Sequence, residues 1–139
     1  MVDKASIDLV QLTWAHALNV APNAGRVFYD QLFAADPTLR QLFKGSIEDQ
    51  SRKLIGMLSM AIGKLDDIDA LRPVLSELGR RHGGYGVTQP HYATVGVALV
   101  GTLGIALGDT FTAEVKTAWL DVYRSLSETM IAGAAAGVD

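Results

Sequence analysis

Residues 71–84 read Leu71-Arg72-Pro73-Val74-Leu75-Ser76-Glu77-Leu78-Gly79-Arg80-Arg81-His82-Gly83-Gly84, and their spacing decides the architecture. Leu71, Val74, Leu75, Leu78 and His82 recur at intervals of three and four, which puts them on one face of an α-helix running from about Ile68 to His82. Gly83-Gly84 then ends it. An apolar stripe therefore finishes in an imidazole. The last carbonyls of a helix lack partners within it, so one ring nitrogen of His82 can donate to such a carbonyl, for example that of Leu78. The other nitrogen keeps its lone pair, as an iron ligand must. A core histidine that is merely hydrogen-bonded has the same local pattern.

The same periodicity fills the rest of the chain, and no alternating strand pattern lasts long enough to compete. The spacing predicts helices from about Lys4 to Leu18, Asn23 to Ala35, Ile47 to Lys64, Gln89 to Leu107 and Thr112 to Ala132. A short helix begins at Asp36-Pro37 and ends near Lys44-Gly45, and Ser46 caps the next one. The inner face of that next helix reads Gln50, Leu54, Met57, Leu58 and Ala61. The fold class is all-α, and 139 residues with 49% hydrophobic content suit a single domain over 1–139, its Ala/Gly-rich tail fraying from about residue 132.

Twelve Lys plus Arg against 15 Asp plus Glu, without a basic cluster, argue against a nucleic-acid partner. The absence of Cys excludes disulfides, thiolate metal sites, iron–sulfur clusters and a cysteine nucleophile together. Ala93 to Gly108 is almost wholly apolar, but Gln89-Pro90-His91 and four glycines break the run, so a helix buried on all sides of a core is expected rather than a membrane span. Met1-Val2-Asp3-Lys4 lacks the features of a secretory signal, and a cytoplasmic location is expected.

A cofactor cleft lined by the His82 stripe needs a second wall. Gln50 and Leu54, one turn apart on another helix, offer one polar and one apolar side chain. Taken singly, Gln50 also reads as a solvated first-turn residue, and Tyr29 as a core tyrosine with its hydroxyl at the surface. His16 and His91 read as structural or exposed.

Taken together, Phe28-Tyr29, Pro37-Thr38-Leu39 through Leu42-Phe43, Gln50-Ser51-Arg52-Lys53-Leu54, Leu78-Gly79-Arg80-Arg81-His82, His91-Tyr92 and Ala118-Trp119 to Tyr123 resemble the motif set of bacterial single-domain globins and the haem domains of flavohaemoglobins. The resemblance covers almost the whole chain. It implies a three-over-three helical sandwich around haem b (iron protoporphyrin IX), with His82 as the proximal iron ligand and Phe43 stacked on the haem. Tyr29 and Gln50 would form the distal polar pair, with Leu54 closing the pocket. Arg81, Lys53 and Arg52 are candidates for the propionates, and as surface charges they could equally be solvated. Tyr92 matches a proximal tyrosine of that group, whereas Ala134 stands where its members carry a Glu, and the nearest acid is Glu128. That departure argues against an electron-rich, peroxidase-like proximal site. Gln50 also stands where self-ligating globins carry a His.

Such a protein would bind O2, NO and CO, with slow O2 release expected from two distal donors. Three functions stay open: reversible O2 binding or transport, nitric oxide removal with an external reductase, and a globin-shaped sensor or interaction module without gas chemistry. No residue is assigned a catalytic role, and no Gly-rich phosphate turn follows a strand to suggest a flavin or nicotinamide module.

Overall fold

A computed structural model describes residues 2–43, 45–84 and 87–136. Six α-helices carry it: α1 (Lys4–Val20), α2 (Ala24–Ala35), α3 (Ile47–Gly63), α4 (Ile68–Gly84), α5 (Gln89–Leu107) and α6 (Ala113–Ala136). A 3-10 turn, Pro37–Leu42, joins α2 to α3, and another, Gly108–Thr110, joins α5 to α6. No strand occurs among the described residues.

The helix ends follow local chemistry. The Asp3 carboxylate accepts from the Ser6 amide at 2.8 Å and opens α1, and Ser46 Oγ accepts from the Glu48 and Asp49 amides at 3.1 and 3.4 Å to open α3. Asp36 accepts from the Thr38 amide at 3.1 Å ahead of Pro37. His91 has a capping role: its Nδ1 accepts from the Thr88 amide at 2.9 Å at the start of α5, while His16 is exposed. Gly108, at φ +55°, ends α5 in a conformation that L side chains rarely adopt.

The helices form two layers, α1, α3 and α4 over α2, α5 and α6. The main packings are α4 on α6, α2 on α5, α1 on α6 and α2 on α3. Trp14 and Trp119 meet at the α1–α6 crossing with ring centroids 6.0 Å apart. Both indole N–H groups are satisfied, Trp119 by Thr13 Oγ1 at 2.8 Å and Trp14 by Ser59 Oγ at 3.0 Å.

Three expectations need correction. Helix α5 is long and apolar enough to cross a membrane by length and composition, and it buries Gly96, Ala98, Leu99, Thr102, Leu103 and Leu107. It is not buried on all sides, because Val97 is 67% and Ile105 61% exposed. Met57 and Val74, placed on inner faces by periodicity, are 39% and 37% exposed. Helix α6 runs past residue 132 to Ala136 because its last turns pack on α4; residues 137–139, like Lys44, lie outside the described residues.

Candidate functional site

Helices α3 and α4 follow one another in the chain yet are not among the helix pairs that pack closely. Each leans on a different partner, α3 on α2 and α4 on α6, so a cleft between them is where a ligand could enter. Leu71 and Leu75, early in the α4 stripe, are buried, whereas Leu78 and His82 at its end are half-buried. Leu54, Leu58 and Gln50 of α3 are half-buried as well, as are Phe43 after the 3-10 turn and Val95 on α5. Apolar side chains left half-covered on several helices are what an apolar ligand between them would cover.

On the α4 side, His82 Nδ1 lies 2.6 Å from the Leu78 carbonyl. A carbonyl can only accept, so Nδ1 carries the proton and Nε2 keeps its lone pair. Arg81 Nε bonds Glu77 Oε1 at 3.4 Å and Arg80 Nε bonds Glu77 Oε2 at 2.9 Å, both on exposed helix surface. The Arg80 guanidinium holds the Glu77 carboxyl below its ordinary range. Lys53 is exposed, and Arg52 pairs with Asp49.

On the α2–α3 side, Tyr29 is only 4% exposed, sitting edge-on to Phe28 and Phe43 with centroids 5.2 Å away in each case. Phe33 stands 5.8 Å from Tyr29 and 5.7 Å from Phe43, so three aromatic rings form one wall. Loss of hydration pushes the Tyr29 phenol up to about 12, which keeps it protonated and a donor at neutral pH. Gly25, one turn before Tyr29, lets α3 come close: a Cβ there would lie 2.9 Å from Ser51 Cβ and 3.0 Å from Ser51 O. The crossing therefore brings the Tyr29 helix to the neighbours of Ser51, Gln50 and Leu54.

Tyr92 lies at the start of α5, where the Tyr123 hydroxyl donates to its carbonyl at 2.6 Å. The Tyr92 hydroxyl is buried without a partner among the described residues, as is Ser51 Oγ. Ala134 Cβ is within 3.4 Å of where a Gly83 Cβ would stand, and Glu128, the nearest acid in sequence, is exposed.

Among the described residues no three His, Asp or Glu side chains converge to hold a metal. An iron at His82 must therefore bring its own equatorial ligands, as a porphyrin does. A planar apolar macrocycle would cover the half-buried apolar side chains, and the buried Tyr92 hydroxyl supplies a polar atom without a partner among the described residues, so the residues present fit a haem. Sequence reading missed the glycine contacts. Gly79 and Gly133 abut main chain across the α4–α6 crossing, and the available signal was an isolated glycine inside an otherwise regular helical pattern.

Comparison with known proteins agrees with this reading. The globin family model matches residues 26–130. The chain is 32% identical to the neuroglobin of Dissostichus mawsoni over 141 residues, covering 91% of this chain and 88% of that one, and 31% identical to the neuroglobin of Tetraodon nigroviridis over the same shares. Its backbone matches, with a TM-score of 0.86 and 23% identity over 97% of this chain and 94% of the other, an engineered carbene transferase described as a nitric oxide dioxygenase from Rhodothermus marinus. A second match, at 0.85 and 19% identity over 96% and 95%, is a hexacoordinated haem protein from an anhydrobiotic tardigrade. Those two likenesses carry the fold, and the family model and the neuroglobin relatives carry the membership: the chain belongs to the globin family, with haem as the cofactor its cleft fits.

Proposed function

We propose that this chain is a haem b globin that binds O2, NO and CO reversibly, releases O2 slowly, and serves in O2 binding or transport or in nitric oxide detoxification. In that reading haem supplies reversible coordination of a diatomic gas, held without covalent attachment in a chain that has no Cys. His82 Nε2 is the proximal ligand, Phe43 packs on the macrocycle and Leu54 closes the distal side. The observation that carries the reading is the pairing of a histidine whose Nδ1 is already committed with a desolvated, protonated phenol on the opposite wall.

Tyr29 and Gln50 then donate to a bound gas that carries partial negative charge, in a site poor in water. The motif set of Tyr29, Phe43, Gln50 and His82 favours kinship with bacterial single-domain globins and flavohaemoglobin haem domains. Likeness in fold to a protein described as a nitric oxide dioxygenase supports that direction. Continued nitric oxide turnover would require an external reductase. Among the described residues Lys53 makes no ion pair and is better placed to meet propionates than Arg52 or Arg81, which are engaged by Asp49 and Glu77.

Tyr29→Phe tests the reading, because it keeps the ring and removes the donor. A hydrogen bond to a charged group is worth about 1.5 to 3 kcal/mol, so O2 release should accelerate by about tenfold to a hundredfold, with CO much less affected. Stopped-flow release within a factor of about two of the parent would remove Tyr29 from the gas site. A purified chain with no haem absorption band would favour the interaction-module alternative.

A further inference from the structure

Helix α4 touches α6 main chain to main chain at one place. A Cβ on Gly79 would stand 2.7 Å from Met130 Cα and nearer still to the Met130 carbonyl. One turn away, a Cβ on Gly133 would stand 2.6 Å from Ser76 Cα and 2.8 Å from its carbonyl carbon. The contact is reciprocal: Ser76 and Gly79 lie one turn apart on α4, and Met130 and Gly133 one turn apart on α6. The obstructing atoms are backbone, so no rotamer change can relieve a methyl added at either glycine.

The position of this crossing gives it consequence. The Leu78 carbonyl that accepts from His82 Nδ1–H belongs to the peptide unit joining Leu78 to Gly79. The glycine that permits the close approach is thus bonded to the group that orients the imidazole, and His82 follows three residues later on the same helix.

We propose that the Gly79–Gly133 crossing is the positioning device of the proximal site: it sets how close α4 lies to α6, and through the Leu78 carbonyl it sets the reach and tilt of the His82 ring. This rests on His82 being the proximal ligand. Both glycines are positioning residues, acting through His82 and touching no ligand themselves. Adding a methyl at either one moves α4 off α6 and changes the strain on the bond from histidine to iron. Errors of that scale in a ligand's placement change rates by up to about a hundredfold.

The test uses the haem-loaded ferrous protein and reads the iron–histidine stretching band by resonance Raman together with CO association. Gly79→Ala and Gly133→Ala should each shift the band and alter CO association by about tenfold. Gly83→Ala, whose Cβ would meet Ala134 Cβ at 3.4 Å, should produce a smaller shift. The decisive arm places Gly79→Ala in a His82→Gly background loaded with free imidazole, where the ligand is no longer tethered to α4 and the band should not move. A shift persisting there shows general pocket distortion and overturns the proposal. So does an unshifted band in both glycine variants at native helicity by circular dichroism. If Gly79→Ala does not fold, Gly133→Ala decides, and failure of both to fold makes the crossing a folding element only, which also overturns it. Should His82→Gly keep the parent spectrum without imidazole, the His82 reading itself fails, a result distinct from all of these.

Discussion

The two walls of the cleft are built by the same means and finished differently. On the α2–α3 wall Gly25 admits Ser51, and on the α4–α6 wall Gly79 admits the main chain of Met130 and Gly133 that of Ser76. The α4–α6 wall then commits the His82 Nδ1–H to the Leu78 carbonyl, while on the other wall burial keeps the Tyr29 phenol protonated. A protonated phenol can donate to a ligand that enters beside it, so one wall is made to hold and the other to respond.

Removing the histidine breaks this contrast most completely. His82→Ala deletes the imidazole whose Nε2 the Leu78 bond leaves free, and the variant should lose the native haem spectrum and most of its haem retention. The parent, unliganded and ferrous, should be five-coordinate, because an amide such as Gln50 is a poor ligand for ferrous iron. Absorption and resonance spectra of both proteins check this. A native spectrum in His82→Ala without added imidazole, or a bis-histidine signature in the parent, would reassign the walls.

A smaller effect sharpens the responding wall. Burial raises the Tyr29 phenol to about 12, against an ordinary 10.0. The unfolded chain therefore ionises this group first. Its contribution to stability is complete below pH about 10 and is lost as pH rises through about 12, a span worth roughly 3 kcal/mol. Between those limits the parent should lose stability with pH more steeply than Tyr29→Phe, measured by denaturant midpoints. Tyr92 and Tyr123 are also raised by burial and titrate in both proteins, so the difference between the two isolates Tyr29. Parallel curves would place the phenol in water.

Much of this architecture is legible in local sequence because its signals are local. Helix α5 spans Gln89 to Leu107 as its pattern and the following glycine indicate, and the Asp36-Pro37 and Ser46 starts are written in their own side chains. The hydrogen bond from His82 to Leu78 follows from a spacing of four. What periodicity could not supply depends on partners far along the chain. Thr13 is buried because Trp119 needs an acceptor, and Gly133 reads as part of a fraying tail until Ser76 is known to lie against it. Met57 and Val74 sit at apolar positions that no helix covers, since a stripe gives the direction of a face and not the width of its cover. Arg81 reads as a free cation until Glu77, one turn earlier, is seen to hold it.

The gentlest test of the contrast lies at the start of α3. Ser46 Oγ satisfies the amides of Glu48 and Asp49, and Gln50 follows in the same first turn, with its amide donating to the Ser46 carbonyl at 3.1 Å. The Gln50 side chain thus rides on a turn closed by one hydroxyl, whereas His82 rides on a helix pinned by a backbone crossing. Ser46→Ala removes the cap and should cost about 1 kcal/mol, concentrated in local opening of that turn. Hydrogen exchange at the amides of Glu48, Asp49 and Gln50 should speed by about fivefold, while amides of α4 around Leu78 and His82 stay unchanged. Release of O2 should rise modestly, since Gln50 spends more time displaced while Tyr29 keeps its place. If exchange rises equally in α4, the two walls share one cooperative unit and the division between a holding wall and a responding wall does not stand.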